Sequence, residues 1–276
     1  SLWHDEAFSA LLIKYSWSEM VYRIGLDVHP PMYYFFLRIW SYIFGHSLFS
    51  LRGMSVFFGV ATIIVTYYFV NYIFQNKKAA LIAAALIAVN PFQVQYVTEA
   101  RMYTMGAFFA IAAAFALAAA LRTQGLYYAT IANQVLRVEL KKRFVKYYAL
   151  FVIFSAILIY THYYLLFMVA ALGAYAILHC IIHFRTEFKK YFWVILSGIL
   201  ILVSFIPWLK VFLFQYKQVG AGYWIPPMNV WSIPSTLWDL LFRLPNSTNF
   251  MYVIVALFTL YVIVRLIWKQ QQTEKW

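Results

Sequence analysis

Charge is what this chain has least of. Only 11% of its 276 residues are Asp, Glu, Lys or Arg, whereas 64% are hydrophobic, and the mean hydropathy is +0.73. Soluble globular proteins are about one quarter charged. This chain therefore has too little polar surface to cover itself in water, which excludes a soluble enzyme or binding module and makes it an integral membrane protein. Cysteine is almost missing too: Cys180 is the single one, so an intrachain disulfide and a cysteine-based metal site are both excluded. The chain opens at Ser1 without Met or a signal-like apolar stretch, and the expectation is a fragment of a longer protein. A net charge of +13 would suit nucleic acid, but the basic residues punctuate apolar runs. No nucleic-acid partner is expected.

What the chain does have is apolar runs of membrane-spanning length, about 20 residues each. Seven spans are predicted: Met54–Phe74, Ala79–Val97, Arg101–Leu121, Tyr147–Tyr160, Tyr163–Phe184, Phe192–Phe214 and Phe250–Trp268. Asn90-Pro91 should break the second, and the fourth is short enough to borrow residues from a flank. The expected organisation is one transmembrane domain over residues 1–276. Residues 1–53 form a first outer loop with interfacial helices and 54–214 hold six spans. Residues 215–249 form an outer loop broken by Pro226-Pro227, Pro234 and Pro245 and rich in aromatics (Tyr223, Trp224, Trp231, Trp238), and 250–276 hold the seventh span and a cytoplasmic tail.

Charge counting orients the bundle. One face gathers fourteen Lys and Arg against three acidic residues, mostly in Thr123–Lys146, which reads as a polar, basic loop, and at the ends of the later spans, while the other holds eight against six. The positive-inside rule makes the first face cytoplasmic. Trp3-His4-Asp5-Glu6-Ala7-Phe8-Ser9 then lies outside, and a helix preceding Ser1 is needed to carry it across. The fold class expected is an all-α polytopic bundle with outer-face loops, lacking its first and last helices.

Adjacent carboxylates at a membrane face are costly unless they do chemistry, bind a cation or pair with a cationic group. Near them in the same face lie Asp27-Val28-His29-Pro30-Pro31 and Glu99-Ala100-Arg101. Sugar transfer from a lipid phosphate suits such a set. The acceptor hydroxyl must lose its proton to a carboxylate or histidine base, and the leaving phosphate needs cationic or hydrogen-bonding stabilisation. Arg101 suits phosphate because its planar guanidinium matches phosphate oxygens; a local ion pair or a snorkelling side chain is the plainer role for Arg101 and Glu99. His29 precedes two prolines that hold its loop extended, and Asp27 either tethers that loop or caps a helix. His162 marks the outer junction of two spans, where an aromatic belt already explains Tyr163 and Tyr164. His179 and His183 stand i,i+4 at a cytoplasmic helix end and read as interfacial.

The segments WHDEAFS, DVHPPMYYFFLRIW, NPFQVQYVTEARMYTM, THYY and YWIPP, in this order over nearly the whole chain, resemble the membrane glycosyltransferases of the protein O-mannosyltransferase and aminoarabinose-transferase superfamily, above all its bacterial and archaeal branch (family 39 or 83). The resemblance implies a GT-C fold in the plasma (inner) membrane with the active site facing the periplasm or exterior. It implies a polyprenyl-phosphate-linked sugar as donor, a protein, lipid or glycan acceptor, and inversion at the anomeric carbon. It maps the catalytic carboxylate onto Asp5, with Glu6 beside it; donor or phosphate binding is then expected of His29, Glu99, Arg101, Tyr103 and His162. No cofactor is expected; a divalent cation is compatible with the carboxylates, but no metal-ligand set is indicated. The competing class is a transporter or lipid flippase with an outer charged gate. Such proteins place ionisable groups near the bilayer midplane, whereas these span interiors are nearly free of charge. A purely structural membrane subunit would leave Asp5, Glu6, His29 and Arg101 unexplained.

Overall fold

The structure, a computed structural model, describes residues 4–183, 191–220, 229–233, 235–236, 257 and 261. The chain divides into two compact units, Ser1–Ala88 with Tyr96–Gly222, and Val89–Gln95 with Tyr223–Trp276. In the second unit, Asn90 caps a short helix through Gln93 N–H donating to its Oδ1 at 3.1 Å. The candidate site lies wholly in the first.

Every regular element among the described residues is a helix. Three short ones lead the chain: α1 (His4–Leu12), α2 (Trp17–Leu26) and α3 (Met32–Phe44). Ser16 opens α2 and accepts from Glu19 N–H, and Gly45 at φ +83° closes α3 in a conformation that side-chain-bearing residues rarely adopt. Ser47 then caps α4 (Leu48–Phe74), the first helix long and apolar enough to cross a membrane. It starts six residues earlier than the apolar run predicts, so the leading loop ends at Ser47.

The second predicted span is interrupted where Asn90-Pro91 falls, giving α5 (Lys77–Val89) and α6 (Pro91–Tyr96). α7 (Tyr103–Ala129) and α8 (Gln134–Ile159) both run through the segment expected to be a polar loop. Lys, Arg, Gln and Leu are good helix formers, and only the Thr130–Asn133 stretch interrupts them. The short fourth span thus borrows from its N-terminal flank. α9 (Leu165–His183) and α10 (Phe192–Gly220) complete the described set. α10 continues through Gln215–Gly220, six residues into the predicted outer loop, because no helix breaker stands between Phe214 and Gly220. Of the expected seventh span only Leu257 and Tyr261 fall among the described residues. By length and composition α4, α7, α9 and α10 qualify as membrane-crossing.

α7 is the central helix. It buries Ala112, Ala113, Ala116, Ala119 and Ala120, small residues that let helix backbones approach closely, and packs most extensively on α4 and α8. A Cβ at Gly106 would come 2.9 Å from Leu165 Cδ1, so the starts of α7 and α9 sit tightly together. Phe36, Phe58, Phe109 and Phe154 interlock beneath. By contrast α9 and α10 leave Phe167, Leu202 and Ile206 exposed, apolar faces that only lipid or further helices can cover.

Candidate functional site

One end of the bundle collects the start of α1, the α2–α3 loop, the α6–α7 link and the α8–α9 turn. Backbone bonds set this arrangement: Met32 N–H, at the head of α3, donates to Tyr160 O at 2.8 Å. Arg38, buried on α3, holds the α1–α2 turn by donating to the Tyr15 carbonyl with its guanidinium 4.5 Å from the Trp17 ring, and within α3 it also donates to Tyr42 Oη. α1 is thereby fixed over the bundle end.

The adjacent carboxylates of α1 differ sharply. Glu6 is completely buried and receives two parallel hydrogen bonds from Arg52, Nε to Oε1 at 2.8 Å and Nη2 to Oε2 at 2.7 Å. Ala100 N–H adds a third at 2.8 Å to Oε1. Glu6 therefore joins α1 to α4 and to the turn that carries Arg101. Asp5 is half exposed and places Oδ2 3.6 Å from Arg101 Nη2. Of the pair, only Asp5 faces open space.

Arg101 is the focus. Its turn is shaped by Arg101 N–H donating to Glu99 O at 2.8 Å and by Ser55 of α4 donating to the same carbonyl at 2.6 Å. The side chain is only 4% exposed, yet Nη2 reaches both Asp5 and His29 Nε2, the latter at 3.3 Å. Nε has no hydrogen-bond partner, nor do the buried Tyr33 and Tyr34 hydroxyls or Thr104 Oγ1. Burial works against the Arg101 charge, but Tyr34, Asp5 and Tyr103 around it more than offset that, so its pKa is raised and it stays a cation. Buried donors are rarely left unsatisfied, and an unpartnered guanidinium N–H beside two unpartnered phenols is an arrangement ready for an anion.

His29 receives its orientation from Asp27, whose Oδ2 lies 2.9 Å from Nδ1. An arginine has only donors, so His29 Nε2 accepts from Arg101 and Nδ1–H donates to Asp27: a neutral ring with its tautomer fixed at both ends. His162 stands opposite, its ring centroid 6.0 Å from that of His29 and 6.3 Å from that of Tyr103. Its Nδ1 accepts from Tyr164 N–H at 3.2 Å. Burial first, then its neighbours His29 and Arg101, lower its pKa to about 4. The Tyr103 ring lies 4.4 Å from that of Tyr96, tilted by 50°, and supports the Arg101 charge electrostatically.

The structure thus brings Asp5, His29, Arg101, Tyr103 and His162 together. Glu99 contributes its carbonyl to the Arg101 turn, and its charge acts on Arg52; the ion pair of Arg101 is with Asp5. Arg52, Tyr34 and Asp27 complete the set. Arg52 carried a signal, since an arginine one turn inside an apolar span is expensive unless paired. Among the described residues no three His, Cys, Asp or Glu gather closely enough to hold a metal ion. His179 and His183 stack on each other at 4.2 Å near the C-terminal end of α9, away from the site.

A polytopic helical membrane protein that gathers a buried cation, a half-exposed carboxylate and histidines at one end has the parts of a membrane glycosyltransferase. The chain belongs to the dolichyl-phosphate-mannose-protein mannosyltransferase family, whose model matches residues 28–210, well over half of it; it is a membrane glycosyltransferase of the GT-C type. No curated protein and no solved structure matches it. His29, Glu99, Arg101, Tyr103 and His162 fall inside the matched range, and Asp5 and Glu6 precede it.

Proposed function

We propose that the protein transfers a sugar, with inversion, from a polyprenyl-phosphate donor to an acceptor hydroxyl at the outer face of the plasma membrane. The observation that carries this reading is the buried Arg101, with Nε unpartnered and Nη2 shared between Asp5 and His29. A phosphate oxyanion satisfies the unpartnered N–H through charge-assisted hydrogen bonds, and the fixed guanidinium and phenols then stabilise charge as the phosphate leaves. Asp5, exposed on the open side, accepts the acceptor proton. Inversion follows when that hydroxyl attacks the anomeric carbon opposite the departing phosphate. His29 holds Arg101 in place, and His162, neutral at physiological pH, and Tyr103 wall the donor side. Glu6 acts as a positioning residue, tying α1 to the Arg101 turn.

The transporter reading is less well supported. Within α4 beyond Arg52 and within α7 before Arg122 there is no charged residue, while Asp5, Glu6, His29 and Arg101 gather at one end. Incubating the purified protein with a radiolabelled polyprenyl-phosphate sugar and an acceptor extract separates the two. Release of free polyprenyl phosphate with label in the acceptor is expected; label that remains on the lipid would overturn the transferase reading.

A further inference from the structure

Gln215 is the one polar side chain of α10 that reaches back to the α2–α3 loop. It is 1% exposed, and its amide is engaged on both sides. Nε2 donates to Ile24 O at 2.8 Å and approaches Gly25 O and His29 O at 3.4 and 3.5 Å. Oε1 accepts from the Tyr163 hydroxyl, which in turn accepts from Trp208 Nε1 at 2.9 Å. The amide cannot be turned over without setting its oxygen against three carbonyls, so its orientation is determined.

Both ends of this chain of bonds lead to the site. Ile24 and Gly25 are among the last residues of α2, where the Ile24 carbonyl also accepts from Asp27 N–H at 3.1 Å, and the loop after them carries Asp27 and His29. Tyr163 follows His162 directly. Gln215 therefore joins the two segments that present the facing rings of His29 and His162, with α10 as the common support. A second strut runs parallel, Tyr160 Oη donating to Ser204 O at 2.7 Å, but it does not touch the His29 loop.

We infer that Gln215 is a positioning residue for the donor-phosphate wall: by capping α2 and accepting from Tyr163 it sets the His29–His162 spacing and, through His29, the placement of Arg101. This rests on the reading of the site proposed above. The sequence assigns Gln215 no such role, since it sits at the edge of a predicted loop, and it lies beyond the range of the family match.

The near-isosteric Gln215→Met removes every bond of the amide and keeps its volume; Tyr163→Phe removes only the hydroxyl link and perturbs folding less. The test uses full-length protein in lipid nanodiscs, labelled with nitrogen-15 at histidine, with the ring signals identified by His29→Asn and His162→Asn. In both variants the His29 ring nitrogens should move from the pattern of a fixed Nδ1–H tautomer toward an averaged one, with the smaller change in Tyr163→Phe. This spectrum is read without substrate, so it decides on Gln215 even in a protein that consumes no lipid-linked sugar. In turnover, Gln215→Met should raise the KM for the lipid donor about tenfold, the effect of losing roughly one well-made hydrogen bond, with the KM for acceptor unchanged. A role confined to stability predicts the reverse: a lower melting temperature with His29 and His162 signals and donor KM as in wild type. That outcome would overturn the inference.

Discussion

Glu6 and Arg52 are joined by two parallel hydrogen bonds of 2.8 and 2.7 Å, although 46 residues separate them, and Glu6 is fully buried. The neighbouring Asp5 is half exposed. Adjacent acidic residues thus divide into a structural anchor and a group open to substrate. Losing one partner of a buried ion pair costs about 3–5 kcal/mol because the other is left uncompensated. Arg52→Ala should therefore lower the melting temperature in detergent most, Glu6→Gln less, and Asp5→Asn hardly at all. A larger loss in Asp5→Asn than in Arg52→Ala would contradict this division.

Arg101→Lys retains the charge but loses the planar fork. Donor binding should weaken without disappearing. Arg101→Ala removes both, and charge-assisted hydrogen bonds in a partly dehydrated site are worth roughly 1.5–3 kcal/mol, or about one to two decades in donor affinity. Binding of a fluorescent polyprenyl phosphate measures this directly. Equal affinity in wild type and Arg101→Ala would remove Arg101 from the phosphate site.

Much of this was legible in the sequence, and what was not has identifiable causes. Apolar runs of bilayer length marked α4, α7, α9 and α10, and Asn90-Pro91 marked the break between α5 and α6, because these signals are local. The polar stretch around Thr123–Lys146 looked like a loop although it is mostly helix; there, composition and helix propensity point in opposite directions. Asp5, His29 and Arg101 could be grouped by the family resemblance and by topology. The partners that fix them could not. Arg52 meets Glu6, and Gln215 meets Ile24 across 191 residues, by tertiary packing that no periodicity or spacing encodes.

His162 supplies a pH signature. Its pKa falls from an ordinary 6.5 to about 4 in the folded protein, so below pH 6.5 the unfolded chain takes up a proton that the folded one refuses. Stability is unaffected above that pH and is lost progressively as pH falls from about 6.5 to about 4, by up to roughly 3 kcal/mol. His162→Gln removes this contribution. Melting temperatures of wild type and His162→Gln, compared at pH 7.5 and pH 5, should show the wild type losing more on acidification. Parallel losses would mean that His162 is not held neutral by its surroundings.

The orientation can be read chemically. In a Cys180→Ala background, a cysteine at the exposed Ala7 position should react with a membrane-impermeant thiol reagent in intact cells. One at the exposed Val135 position, at the basic end of α8, should not. Labelling only at position 135 would place the site on the cytoplasmic side.

The chemistry itself rests on Asp5. Asp5→Asn keeps size and most hydrogen bonding, but a neutral amide cannot accept a proton from the acceptor hydroxyl. Asp5 is half exposed and its 3.6 Å contact with Arg101 is long, and Tyr34 and Tyr103 also support the Arg101 charge, so the protein should fold. Donor binding should survive or strengthen, because the guanidinium loses a competing carboxylate. Turnover should fall by about 10²–10⁴, the usual range for a lost general base. Folded protein that binds donor and releases almost no polyprenyl phosphate is the expected pattern, measured by donor binding and product release on the same preparation. Near wild-type release from Asp5→Asn would sink the base assignment. If Glu6→Gln were inactive while still folded, the two carboxylates would have to exchange roles, although the buried, triply hydrogen-bonded setting of Glu6 leaves it no open path to an acceptor.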